Sequence, residues 1–211
     1  MKRWRKHERL LMTGEWHVHT RYTDGRQSVF EACRKASGLG IPLIAFTEHV
    51  RRRLTYDYSA LAGDVEDARR EFPELCILTG AEAKVLPEGG LDIEDALLEA
   101  VDYPTFAFHS FPPDKELYLR RLTEAVQSPH ACAWDHPGLL ERKYNVTLSD
   151  GDLGAVFRLM AKNDVLLEIN GKYCLPGKPW IDAAISAGVR TVRGTDIHCE
   201  DDFRNRERRW W

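Results

Sequence analysis

No stretch of the sequence approaches the roughly 18 consecutive apolar residues that a membrane-spanning helix needs, so a membrane protein of that kind is not expected. The basic opening, MKRWRKHERLLMTG, lacks the apolar centre of a signal peptide, which predicts a cytoplasmic protein. Cysteine is sparse. Cys33, Cys76, Cys132, Cys174 and Cys199 are odd in number, scattered and never in a CxxC pair, so neither a disulfide framework nor a thiolate zinc knuckle is suggested. No Gly/Ser-rich or Pro-rich linker interrupts the chain, and no repeat of solenoid length is visible. Residues 1–211 are therefore expected to form a single domain, and an apolar content of 43% suffices for a sizeable core. An excess of one charge is also missing. The net charge of −3 gives no general attraction to nucleic acid or to a membrane, and either partner would need a local patch.

What the chain does have is alternation. Short apolar runs (EWHVH, PLIAFT, CILTGAE, TFAFHS, ACAWDH, VLLEIN and RTVRGTD) read as strands. Between them, SVFEACRKASG, LAGDVEDARREF, IEDALLEAV, DKELYLRRLTEAV, DLGAVFRLMAKN and PWIDAAISAG read as amphipathic helices. Ser28 and Ser149 are suited to N-caps, and the closing Gly38 and Gly188 to left-handed C-caps. The pattern is that of βα units around a parallel sheet, an α/β fold.

Metal-capable residues fall at the ends of these strands. His17 and His19 end the first, Glu48 and His49 follow the second, Glu82 the third, and His109 and His136 end the fourth and fifth. Glu168 ends the sixth, and Asp196 and His198 follow the seventh. Of eight histidines only His7 and His130 lie elsewhere. In a parallel βα barrel these carboxyl ends converge on the face where active sites are built. Strand alternation puts His17 and His19 on one face, with Val18 turned to the apolar layer. Histidine and carboxylate together suit zinc, manganese or iron, and a carboxylate can bridge two cations.

The blocks HVHTRYTDG, IAFTEH, GAE, FAFHS, DHPG, LEIN and GTDIH, in this order, resemble the signatures of the PHP (polymerase and histidinol phosphatase) superfamily over residues 15–202. That resemblance implies a distorted seven-stranded (β/α)7 TIM-like barrel with two or three divalent metal ions at the carboxyl ends of the strands. It implies a first metal on His17, His19, Glu82 and Asp196, and a second held by the bridging Glu82 with His109 and His136. A third would be held by His49, His198 and Asp24. Asp24 stands where many histidinol phosphatases carry histidine, and Asp-Gly is also a common turn pair. Glu48 is a candidate to orient a ligand's second nitrogen, or equally a solvated loop carboxylate, and Glu168 resembles a glutamate close to the metals but not on them. Asn170 could meet substrate or simply bond at the core edge.

The implied activity is that of a metal-dependent phosphoesterase, a hydrolase acting on a small-molecule phosphate monoester through a metal-activated hydroxide. Catalytic parts fall to Glu82, Asp196 and His198, with His198 or a water as acid for the leaving group. Arg21, the run Arg51-Arg52-Arg53, Arg142 and Lys172 are candidates for the substrate phosphate, or surface charges. Trp134, Tyr173 and Trp180 could stack on a ring, although packing is the better reading. The tail FRNRERRWW is expected to close the barrel, and with so few residues beyond the last block an appended polymerase module is not expected. Alternatives are a nuclease or phosphodiesterase, for which the arginine run is the support, a non-catalytic metal-binding domain, and a C–N hydrolase.

Overall fold

The strands of the computed structural model, which describes residues 2–208, lie side by side in nearly the order they leave the chain. They are β1 (Glu15–Val18), β2 (Leu43–Phe46), β3 (His49–Val50), β4 (Cys76–Lys84), β5 (Tyr103–Ala107), β6 (Ala133–Trp134), β7 (Leu166–Asn170) and β8 (Thr191–Gly194). Neighbours pair in parallel throughout. The expected seven-stranded path β1-β2-β4-β5-β6-β7-β8 is present, with β3 paired to β4 beside it. Two residues are too few for any periodic signal, and β3 forms only because the nine-residue β4 outruns β2. The sheet curls until its ends meet. Val18 bridges Ile197 in parallel, with His19 N–H on the Ile197 carbonyl at 2.8 Å and Ile197 N–H on the His17 carbonyl at 3.0 Å. Below this seam, buried Glu15 accepts from the amide and hydroxyl of Thr195 and from Arg206, tying β1 to the chain beyond β8.

Among the described residues seven α-helices surround the barrel: α1 (Val29–Gly38), α2 (Tyr58–Glu71), α3 (Asp95–Ala100), α4 (Lys115–Gln127), α5 (Leu139–Tyr144), α6 (Asp150–Lys162) and α7 (Lys178–Ser186). Ser28 and Ser149 open α1 and α6 with reciprocal capping boxes. α2 begins three residues earlier than its apolar pattern indicates, because Asp57 caps the amides of Ser59 and Ala60. The short α5 has no counterpart among the helices expected from apolar periodicity. At α1 the left-handed residue is Gly40 rather than Gly38, which remains helical, whereas Gly188 is left-handed as expected. Among the described residues no helix is long and apolar enough to cross a membrane.

Outward strand residues pack on the helices in two halves. Val18, Ile44, Phe46 and Ile77 meet α1 and α2, while Phe106, Trp134 and Leu167 meet α4 and α6. The barrel interior is plugged by Trp16, Leu43, Ala45, Leu78, Tyr103, Leu166 and Val192, with Trp4 from the N-terminal 3-10 helix Arg3–Leu10. Burying each such large side chain contributes roughly 1.5–3 kcal/mol. Trp16 joins the interior while Val18 faces the helices, because β1 shifts register against β2 between Glu15 and Val18. The C-terminal 3-10 helix Glu200–Glu207 buries Phe203 against α1, and its Arg206 binds Glu15 and two main-chain carbonyls. The expectation that the last aromatics close the barrel concerns Trp210 and Trp211, which lie outside the described residues.

Candidate metal centre

Barrel closure decides what meets at the mouth. The seam between β1 and the segment after β8 brings His17 and His19 against Asp196 and His198, from opposite ends of the chain. β3 pairs His49 in register with Glu82. His109 follows β5 and His136 follows β6, and both rings arrive over the Glu82 carboxylate. Nine candidate ligands expected from separate blocks are thereby drawn into one contiguous cluster.

Glu82, fully buried, is its hub. Oε1 receives Nε2 of His136 at 2.8 Å and of His109 at 3.0 Å. Oε2 faces Nδ1 of His49 at 2.8 Å, Nε2 of His19 at 3.5 Å and Nε2 of His17 at 3.7 Å. Asp196 Oδ1 lies 3.3 Å from His19 Nε2 and 3.7 Å from His17 Nε2. At the rim, Asp24 Oδ2 sits 3.4 Å from His49 Nε2 and 3.3 Å from His198 Nε2. His19 also comes within reach of this outer set, so the grouping is more continuous than three separate ligand sets imply.

The inner ligands are braced from behind. Glu168 Oε1 bonds His17 Nδ1 at 2.6 Å, which leaves Nε2 to face the centre, and Glu168 Oε2 accepts from the His136 main-chain amide and the Asn170 side-chain amide. Asn170 is thus a bracket for Glu168 and, through Oδ1, for the Tyr173 amide. A side chain at Gly194 would overlap the Glu168 carboxylate, so the backbone there must be bare. His136 and Asp196 hold φ of 33° and 54°, left-handed conformations that cost a non-glycine residue of order 1–3 kcal/mol and mark positions fixed by their surroundings. Asp135, buried beneath His17 and Glu168, is a participant that the strand-end pattern does not single out, although it stands in the DHPG block. Burial and the carboxylates of Glu168 and Glu82 push its carboxyl well above the ordinary range, against the opposing pull of His17.

Charge is strongly coupled here. Burial disfavours a proton on His17, but Glu168, Asp135 and Glu82 outweigh it and raise its pKa well above the usual value. His19, where burial prevails and His49 and His17 add to it, falls to about 3. Burial is overcome at His49, which Glu82 and Asp24 lift to about 10. Burial would raise Glu82, yet His109, His49 and His17 hold it well below the carboxylate range.

Two expectations change on the structure. Glu48 makes no hydrogen bond to a ring of the cluster. It accepts instead from Thr20 and Thr23, in the loop that carries Asp24, and burial raises its carboxyl to about 7. Among the basic candidates, Lys172 alone reaches the centre, with Nζ 3.0 Å from Asp196 Oδ2 and 3.2 Å from His198 Nδ1. Arg21 pairs with Glu31, Arg51 bonds the Val50 carbonyl and faces Asp92, and Arg142 donates to the Tyr173 carbonyl. Arg53 is exposed. Trp134 packs on Trp180 in the core layer, whereas the Tyr173 ring meets His136 edge-on at 5.8 Å.

The donor set fits divalent cations on its own geometry. His17 Nε2 and His19 Nε2 face each other at 3.0 Å, an arrangement that one shared proton or one cation satisfies. Glu82 Oε2 and His49 Nδ1 are buried without an aligned hydrogen bond despite their proximity. Such unpaired groups are costly unless something satisfies them.

Residues 15–172 match the PHP domain family. The chain belongs to that family. It is similar to the DNA polymerase/3'-5' exonuclease PolX of Bacillus subtilis, at 27% identity over 199 residues covering 88% of this chain and 34% of that protein. The chain therefore spans about a third of that relative's length. A probable phosphatase of Clostridium acetobutylicum is 26% identical over 198 residues, 86% of this chain and 77% of the relative. The PHP barrel also superposes on the histidinol phosphate phosphatase of Lactococcus lactis, crystallised with zinc, L-histidinol and phosphate. The TM-score is 0.67 at 15% identity, over 94% of this chain and 89% of that one, a likeness of fold.

Proposed function

We propose that this PHP protein is a phosphomonoesterase that hydrolyses a small-molecule phosphate ester with two or three divalent metals. The carrying observation is the convergence of five histidine nitrogens on the two oxygens of Glu82, with His49 Nδ1 and Glu82 Oε2 buried and lacking an aligned partner. In this reading His17, His19, Glu82 and Asp196 hold the first metal, and Glu82, His109 and His136 the second. Asp24, His49 and His198 hold an outer third. Zinc, manganese and iron all suit these ligands. Bound divalent metals lower the pKa of water toward neutrality and take up charge on phosphoryl oxygens.

The chain's own groups do the rest. Glu168 keeps the proton on His17 Nδ1, so that Nε2 presents its lone pair. Lys172, held against Asp196, offers one fixed cation to the non-bridging oxygens at the mouth. Water attacks phosphorus, the ester P–O bond breaks, and the leaving alkoxide takes its proton from water. The products are inorganic phosphate and an alcohol. A single ammonium suits a compact monoester better than a polymer. A nucleic-acid backbone calls for a row of cations, and Arg51 and Arg142 are engaged with main-chain carbonyls instead.

The similarity to a polymerase/exonuclease keeps a diesterase as the second reading. The deciding experiment is phosphate release from a panel of monoesters, with diesters and oligonucleotides in parallel, using protein loaded in turn with manganese, zinc and iron. Release from monoesters is expected. Cleavage confined to diesters would replace this reading with the second, and silence on both would end the phosphoesterase assignment.

A further inference from the structure

Glu48 is a fully buried carboxylate next to the metal centre that bonds no ring in it. Oε1 accepts from the Thr20 amide at 2.7 Å and from the Thr20 hydroxyl at 2.6 Å, and Oε2 accepts from the Thr23 hydroxyl. All three donors belong to the four residues that immediately precede Asp24. The Glu48 carbonyl, in turn, accepts from the Glu82 amide at 3.0 Å, and the next residue is His49. One residue is therefore joined by its side chain to the Asp24 loop, by its main chain to the strand of Glu82, and covalently to His49.

The loop needs such an anchor. Asp24 is short, and its side chain is 55% exposed, so packing does little to place it. The surrounding turn is closed by Thr23 and Gly25 amides on the Thr20 carbonyl at 3.1 and 2.9 Å, and a side chain at Gly25 would overlap the His19 carbonyl. Arg26 N–H reaches the His198 carbonyl at 2.6 Å, fixing the far end. The near end is fixed by Glu48. A buried carboxyl is tolerated only when it is hydrogen-bonded, and the Thr20 amide, the Thr20 hydroxyl and the Thr23 hydroxyl supply those bonds.

We propose that Glu48 is the positioning residue of the outer metal site: it holds residues 20–24 so that Asp24 meets His49 and His198, and it is not itself a ligand. The inference rests on the metal-centre reading above. Full-length wild type, Glu48→Gln, Thr23→Val, Asp24→Asn and the Glu48→Gln/Asp24→Asn double variant are stripped of metal and titrated with zinc, with stoichiometry read by elemental analysis and affinities by calorimetry. Glu48→Gln should weaken the outer zinc by about 10–100-fold and leave the inner zinc unchanged. Thr23→Val, which removes one of the three bonds, should weaken the same zinc by less. The double variant should bind no more weakly than Asp24→Asn alone, because both changes act on one ligand. Outer zinc bound normally by Glu48→Gln, or lost in parallel with inner zinc, would overturn the proposal. Should Glu48→Gln fail to fold, normal outer binding in Thr23→Val would do the same. A wild type that binds only inner zinc would overturn the outer site and its brace, whereas a wild type that binds no zinc at all would overturn the metal-centre reading beneath both.

Discussion

The inner and outer halves of the centre are built differently. His17, His19, Glu82, His136 and Asp196 are essentially buried, sit on or directly beyond strands, and are backed by Glu168, Asn170 and a bare Gly194. Asp24, His49, His198 and Lys172 stand partly in water, and the carboxylate among them hangs from a loop that one glutamate holds. Strand ends place a side chain through the sheet's own hydrogen bonds, which cannot shift without opening the barrel. A loop places one only as well as its few tethers allow. The inner half is accordingly rigid scaffold, and the outer half is where the site can vary without cost to the fold.

The strongest way to break this contrast is at the hub. Glu82→Ala is expected to reduce phosphate release to below about 10⁻³ of wild type and to remove at least one metal, since both halves share that carboxylate. Near-normal turnover would mean that the centre is not organised around Glu82. A smaller effect is expected one step behind the ligands. Glu168→Gln should weaken inner metal by about 10–100-fold, and Gly194→Ala, which displaces the same carboxylate, should reproduce that defect with about 1–3 kcal/mol of lost stability. Denaturant unfolding and metal titration separate the two contributions, and intact inner binding in both variants would remove Glu168 from its role. The mildest is Asp24→Asn, which should weaken outer metal alone and leave the melting temperature of the metal-free protein within about a degree or two, as exposed substitutions usually do. Equal loss of every metal would erase the distinction between the halves.

Much of this architecture is legible in the amino-acid sequence. Seven apolar runs with helices between them, each run closing on a histidine or carboxylate, are a strong pattern, because strand burial and strand-end chemistry are both written locally. Ser28 and Ser149 announce their helices for the same reason, since a cap and its partner lie three residues apart. The misses have two sources. β3 is non-local, since it depends on how far β4 extends, whereas α2 starts at Tyr58 through a local cap, Asp57, that stands outside its apolar repeat.

By itself, then, the sequence determined the βα order and the strand-end placement of the metal-capable residues, both properties of short windows whose periodicity and caps do not depend on distant neighbours. Only the tertiary structure decided that five rings meet on Glu82, whose bridging part the family resemblance implied, that Lys172 and not the arginine run stands at the centre, and that Glu48 turns from the rings to the Asp24 loop. Those are questions of direction and distance between segments far apart in the chain, 151 residues for His17 and Glu168 and 180 for Glu15 and Thr195, and they are settled by barrel closure, which no local pattern encodes.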